Sequence, residues 1–332
     1  MKMYDVYGIG NGLVDLEFEV TDDFLAHEKI QKGLMTLVDG EAQGVLLERL
    51  TKRFGFKKRS GGGSSGNTIY ALSQFGGKAF FSCKVASDEF GDFYVKELGS
   101  LNVATNLSSE REYGTTGKCI VMTSPDAERT MLTYLGISEK VGPTDLNLEA
   151  LIASQYMYME GYLVTSASGK QACIEARQVA EANGVKTALT LSDPAMVQFF
   201  RGGLEEMIGD GLDLLFANKI EAQTWSGKDD IADAIGELRK IAKVVVVTLS
   251  GDGALVFDGK NYIKVDPVKV KAIDANGAGD MFAGAFLYAI TNGKDYAAAG
   301  KLASHAAATT VSHYGPRLAS AEHKTILKRA WG

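Results

Sequence analysis

The stretch AIDANGAGDMFAGAF, residues 272–286, places an aspartate directly behind a Gly-Ala-Gly turn and ahead of a small, apolar run. A helix that starts at Gly277, Ala278 and Gly279 turns unpaired N–H groups and the positive end of its dipole outward, which makes an anion site. Asp280 falls in that first turn, where it can take the proton of a hydroxyl attacking a bound phosphate. An anion site beside a base is what phosphoryl transfer to an alcohol demands, because the protein's share of that chemistry is positioning and charge stabilisation. The structural alternative is a plain Gly-rich turn with an acidic first-turn residue.

Three other segments could serve the same chemistry. In SGGGSSGN, Gly62 and Gly63 let backbone come within contact distance of a ligand, and Asn67 opens a helix either as a ligand-facing amide or as an N-cap. In DLLFANKIEA, Asn218 and Glu221 sit at the carboxyl end of a buried strand, where open α/β sheets bind ligands. The pair suits either a hydrated Mg²⁺ or a helix-capping box. In VVVVTLSGDGA, Thr248, Ser250, Gly251 and Gly253 form either a loop along a nucleotide or the approach to a hairpin. Two decoys fail on spacing: GIGNG at 8–12 has Leu13 where a dinucleotide fingerprint needs glycine and runs into a strand, and GTTGKC at 114–119 has the wrong glycine separation for a P-loop.

The elements that must hold these residues read as α/β. QYMYME, KTALTLSDP, DLLFAN and KVVVVTL are short apolar runs separated by helical patterns, the rhythm of a parallel sheet. A helix is predicted from about 169 to Asn183-Gly184, a hairpin at Asp258-Gly259, an apolar helix closed by Asn292-Gly293, and an Ala-rich helix over 295–313. The N-terminal third differs. LEFEV alternates Leu16, Phe18 and Val20 against Glu17 and Glu19, the period of a strand with one wet face, and residues 117–136 form a second β-like region. These two read as a small sheet inserted into the core as a lid. The expected division is 1–15, 36–108 and 137–332 for the core and 16–35 with 109–136 for the lid.

Composition narrows the partners. The 332 residues are 45% hydrophobic and 23% charged with a net charge of −6, so no basic stripe is available for nucleic acid or an anionic membrane, and small molecules are expected. Cys83, Cys119 and Cys173 form neither a CxxC pair nor an even set, which fits a reducing, cytoplasmic location. No run of roughly 18 apolar residues is present to span a membrane.

GIGNGLVD near the start, GGSSGN at 62–67, the NxxE pattern from Asn218 to Glu221, and DANGAGD at 274–280 occur in this order. Together they resemble the ribokinase-like (PfkB) carbohydrate and nucleoside kinase family over essentially the whole chain. The GIGNGLVD start, GTTGKCIVM followed by ERTM, and YMEGYLVT are similar to its adenosine kinase branch. The resemblance implies a ribokinase-like three-layer α/β/α core with a mostly parallel sheet and a β-sheet lid, ATP as phosphate donor, and Mg²⁺. It implies Asp280 as base with anion-hole amides at Gly277, Ala278 and Gly279, and Arg129 as a lid arginine over the transferring phosphate. Asn11, Asp15, Gly62, Gly63 and Asn67 would meet the acceptor, Leu16 and Tyr162 would flank a nucleobase, Asn218 and Glu221 would organise Mg²⁺ (Glu221 through water) and phosphate, and Thr248, Ser250, Gly251 and Gly253 would lie along ATP. The acceptor is expected to be adenosine, with a pentose or hexose sugar and a non-catalytic ligand binder as alternatives, in a monomer or homodimer. One departure is Ala275, where the family commonly has Thr.

Overall fold

In the computed structural model, which describes residues 2–101, 103–107 and 110–332, the chain's β-branched and aromatic runs pair into two sheets. The strands are β1 (Tyr4–Ile9), β2 (Leu13–Glu19), β3 (Met35–Leu37), β4 (Lys58–Gly62), β5 (Ala79–Ser82), β6 (Ala104–Thr105), β7 (Thr116–Thr123), β8 (Arg129–Gly136), β9 (Ser154–Glu160), β10 (Lys186–Thr190), β11 (Leu212–Asn218), β12 (Ala242–Thr248), β13 (Ala254–Phe257) and β14 (Tyr262–Val265). The large sheet runs β14-β13-β12-β11-β10-β9-β1-β5-β6 and is parallel except for the two pairings of β13.

Its central strands are continuous apolar runs because both faces are covered. Tyr158, Phe216 and Val246 face one core, while Met159, Ala217 and Val247 face the other. Burial of each large side chain stabilises by about 1.5–3 kcal/mol, so the alternation fixes the strand register from both sides. Helices Ser64–Gln74, Glu89–Gly99, Ala278–Thr291, Tyr296–Val311 and Ser320–Trp331 cover the first face. Helices Ala167–Ala182, Pro194–Ile208, Lys219–Ser226 and Ile231–Leu238 cover the second. This is the expected three-layer α/β/α core with a small second sheet. The hairpin at Asp258-Gly259 is present, with Gly259 at φ 96°.

One close approach positions the site. At Gly284 a Cβ would lie 2.5 Å from the Thr68 carbonyl oxygen, so only glycine lets helix Ala278–Thr291 come this near helix Ser64–Gln74. The first turns of both helices thereby meet.

The small sheet runs β3-β8-β7-β2-β4, with helix Gly40–Phe54 on its outer face, where Leu46 and Leu50 pack with Leu16 and Phe18. Gln43 ties that helix on by donating to the carbonyls of Lys118 and Leu132. The sheet therefore takes in residues 13–15, 35–37 and 58–62, which lie at the edge of or beyond the stretches 16–35 and 109–136 expected from sequence. The wet face expected for LEFEV is also corrected: Glu17 is only 2% exposed, because the Asp15–Glu17 face of β2 turns toward the core domain rather than to solvent. Glu19, half-buried, meets Lys57 and the Tyr314 hydroxyl.

Candidate active site

Between the inner face of the small sheet and the carboxyl ends of the central strands lies a cleft. Its small-sheet roof is mostly apolar, from Leu13, Met35, Leu37, Met131 and Leu135, and carries Asp15 and Arg129 as well, while its core-side floor is polar, from Asn11, Asn67 and Asp280.

The helix that carries Asp280 begins at Ala278, with Gly277 as its left-handed N-cap at φ 71°. A Cβ at Gly277 would lie 2.2 Å from the Pro316 side chain, whereas one at Gly279 would meet open space. Among the described residues, the amides of Gly277, Gly279 and Asp280 meet no acceptor, while Ala278 donates to the Ala275 carbonyl at 3.3 Å. Three outward amides at one helix start, one of them Asp280's own, make a cradle for an oxyanion. Asp280 is the third helical residue. Its carboxylate accepts from Ser64 Oγ at 2.7 Å and Asn67 Nδ2 at 3.1 Å. Burial raises its proton affinity, and these two donors with Arg129 and Arg317 oppose that.

Asn67 lies in the fourth position of helix Ser64–Gln74, whose N-cap is Gly63, so the sequence alternative of Asn67 as cap is not realised. Asp15 comes from β2, and a Cβ at Gly62 would lie 2.0 Å from the Asp15 carboxylate. Asn276 Nδ2 donates to Asp15 at 3.3 Å, and Asp274 holds the loop by accepting from the amides of Asn276 and Gly315. Burial pushes the Asp15 carboxyl up to about 7 against the Arg317 charge. Arg129 reaches across from β8 to the Ala275 carbonyl and Asn276 Oδ1, both at 3.4 Å, so the small sheet is closed onto the turn before Asp280. Tyr162 lines the cleft, its hydroxyl donating to the Ser192 carbonyl at 3.3 Å.

Leu16 is placed elsewhere. Strand parity turns Leu13 and Asp15 into the cleft and Leu16 to the opposite face, among the side chains under helix Gly40–Phe54. Leu13, and not Leu16, lines the cleft.

Asn218 and Glu221 form a complete capping box: Glu221 accepts from the Asn218 amide at 2.9 Å and from its Nδ2 at 2.6 Å, and Asn218 Oδ1 accepts from the Glu221 amide at 2.8 Å. Burial pushes the Glu221 carboxyl up to about 7. Thr248 pairs beside Asn218 in register, and Ser250, Gly251 and Gly253 follow at the same sheet edge, outside the cleft.

Four site residues were not singled out from sequence. Ser64 stood inside GGSSGN. Glu160, at the carboxyl end of β9, is fully buried and accepts from the Asn11 amide at 2.8 Å, Asn11 Nδ2 at 2.7 Å and the Ser65 amide at 2.7 Å. Its placement at a strand end was the available signal. Asn276 lay within the quoted motif, and Arg317, in YGPRL, carried no local signal.

Residues 44–324 match the family described as pfkB family carbohydrate kinase. The chain belongs to that family. This pfkB-family chain is 33% identical to the crystal structure of adenosine kinase from Sinorhizobium meliloti, with a TM-score of 0.92 over 98% of this chain and 99% of that one. It is 31% identical to a probable sugar kinase from Rhizobium etli CFN 42, with a TM-score of 0.93 over 99% of both chains. The adenosine kinase of Saccharomyces cerevisiae is 25% identical over 93% of this chain and 95% of its own length. The protein is a kinase with the ribokinase-like fold of its family. No helix among the described residues is long and apolar enough to cross a membrane.

Proposed function

We propose that this kinase transfers the terminal phosphoryl group of ATP to the 5′-hydroxyl of adenosine, giving AMP and ADP. The observation that carries the reading is the junction of Asp280 with Ser64 and Asn67 beside three open amides, on the floor of a cleft that is polar below and apolar above. A ribose fits the polar floor and a purine the apolar roof.

In this reading Asp15, Asn67 and the Gly62-Gly63 backbone hold the sugar hydroxyls, with Asn11 kept in place by Glu160. Tyr162 and Leu13 border the base. Ionised Asp280 accepts the proton as the hydroxyl oxygen bonds to phosphorus and the bond to the leaving ADP oxygen breaks. Amides at 277, 279 and 280 take the charge on the transferring group, with Arg129 above it. The closed small sheet excludes water, which would otherwise compete as acceptor. ATP lies toward Asn218, Thr248 and the loop at Ser250, Gly251 and Gly253.

Mg²⁺ fits this chain in one way. Both Glu221 oxygens already accept a capping-box hydrogen bond, and no group of three or more His, Cys, Asp or Glu among the described residues is placed to hold a metal. Glu221 and Asn218 would therefore hold the ion through its waters, the mode Mg²⁺ favours when phosphates supply the direct ligands. The ion would neutralise phosphate charge.

A second reading, phosphorylation of a sugar hydroxymethyl group, draws on Glu160, a further carboxylate in the cleft wall, and on the likeness to the Rhizobium etli protein. A panel of acceptors at fixed ATP and Mg²⁺, read as ADP formation, separates the two. Adenosine should drive ADP release and ribose or fructose should not; release with free sugars alone overturns the nucleoside reading.

A further inference from the structure

Arg317, in the loop between helices Tyr296–Val311 and Ser320–Trp331, is only 5% exposed. A guanidinium withdrawn from water is costly unless its donors are matched. Here two of its nitrogens are divided between two partners, while Nη2 is buried without one. Nε donates to Asn67 Oδ1 at 3.0 Å, and Nη1 donates to Glu97 Oε2 at 2.5 Å. That Glu97 oxygen also accepts the Gly61 amide at 2.7 Å, directly before the Gly62-Gly63 turn. The guanidinium carbon sits 4.8 Å over the Tyr70 ring, which holds its plane.

The consequence falls on Asn67. A primary amide offers an acceptor on one side and two donors on the other, and its partners decide which way it faces. Arginine is a donor only, so it takes Oδ1 and leaves Nδ2 for the Asp280 carboxylate at 3.1 Å. A flipped amide would set oxygen against carboxylate and N–H against guanidinium. Lysine could not serve both Glu97 and Asn67 with the same fixed spread of donors.

We propose that Arg317 is a positioning residue for phosphoryl transfer: held by Glu97, it fixes the orientation of Asn67 and thereby the carboxylate of Asp280. The proposal rests on Asp280 being the base. The groups facing Asp280 are Ser64 and Asn67 from one helix, Asp15 from β2, Arg129 from β8, Tyr158 and Glu160 from β9, Tyr162 after it, and Arg317. Arg129 and Arg317 are the cations in this set, and both pull the Asp280 carboxyl down against the effect of burial. Arg317 does the same at Asp15.

The test uses the whole protein with Arg317→Gln and Glu97→Gln, and Asp280→Asn as the assignment control. The Asp280 carboxyl is titrated by ¹³C NMR without substrate, kcat and KM are measured across pH with adenosine, ATP and Mg²⁺, and melting is recorded separately. Arg317→Gln should move the Asp280 midpoint upward by about half a pH unit or more and lower kcat ~10-fold, with the KM for ATP unchanged. Glu97→Gln releases Arg317 from its anchor and with it the hold on Asn67, so it should move the midpoint in the same upward direction by a smaller amount. A structural role alone would lower melting in both variants and leave the midpoint in place; that result, or shifts of opposite sign as charge alone would give, overturns the proposal. If Arg317→Gln does not fold, Glu97→Gln decides: an upward shift supports the proposal and a downward shift or none sinks it. Should the unmodified protein phosphorylate neither nucleoside nor sugar, the proposed function falls, while the carboxyl titration still decides whether Arg317 governs Asp280.

Discussion

Ser64 Oγ donates to Asp280 Oδ1 at 2.7 Å, joining the first residue of one helix to the third residue of another across 216 positions of chain. The loop at Gly62-Gly63 and the turn at Gly277–Gly279 are thus coupled through their helices. Asp280→Asn should keep acceptor binding, because Asn67, Asp15 and the cleft roof remain, yet lose ~10²–10⁴-fold in kcat. ADP release at saturating adenosine, with binding followed calorimetrically, checks both halves.

Activity should fall as pH drops. Burial raises the Asp280 carboxyl above the ordinary range, and the base works only when ionised, so the acid limb of kcat should lie above that of an exposed aspartate. A kcat profile from pH 3 to 9 measures it, and a limb near pH 4 would contradict the assignment.

Stability should run the other way. Glu17 is pushed up to about 8 by burial with Asp274 and Asp15 nearby, and neither of its oxygens has a hydrogen-bond partner. A carboxyl raised in the folded state binds its proton more tightly there than in the unfolded chain. Its contribution is therefore fully present below about pH 4.5 and is lost as pH rises through about 8. Glu17→Gln should leave melting little changed at pH 5 and raise it at pH 8.5; equal shifts at both would refute this account.

The two glycines of the anion-binding turn should separate stability from activity. Gly277→Ala forces a methyl into Pro316 at positive φ and should destabilise by about 1–3 kcal/mol. Gly279→Ala meets open space in helical backbone, so melting should hold or rise by a few degrees, while the methyl stands where phosphate oxygens would rest and turnover should drop. Thermal melts beside ADP assays distinguish the pair.

In the proposed reaction Arg129 lies over the transferring group, so Arg129→Gln should cost ~10²-fold in kcat with a smaller change in acceptor KM. A matched loss confined to KM would place it on the acceptor instead.

What sequence could show followed the range of the physics. VVVVT declared a strand buried on both faces, and GGSSGN and DANGAGD announced tight turns at helix starts, because those signals are local. Glu17 was misread because alternation marks two faces without saying whether water or another layer covers the polar one. Leu16 and Leu13 were confused for a related reason: which parity looks into the cleft depends on where helix Gly40–Phe54 docks. Arg317 was invisible, since its meaning arises from Asn67, 250 residues away.

The capping box at Asn218 and Glu221 sets an order of events. A carboxylate whose two oxygens each already accept a hydrogen bond is a weakened ligand for a bare divalent ion, so the empty enzyme should bind free metal poorly at concentrations that saturate nucleotide. In the proposed reaction the cation then arrives as cargo of the incoming nucleotide and leaves with the spent one, and excess metal acts on the donor in solution rather than on the protein.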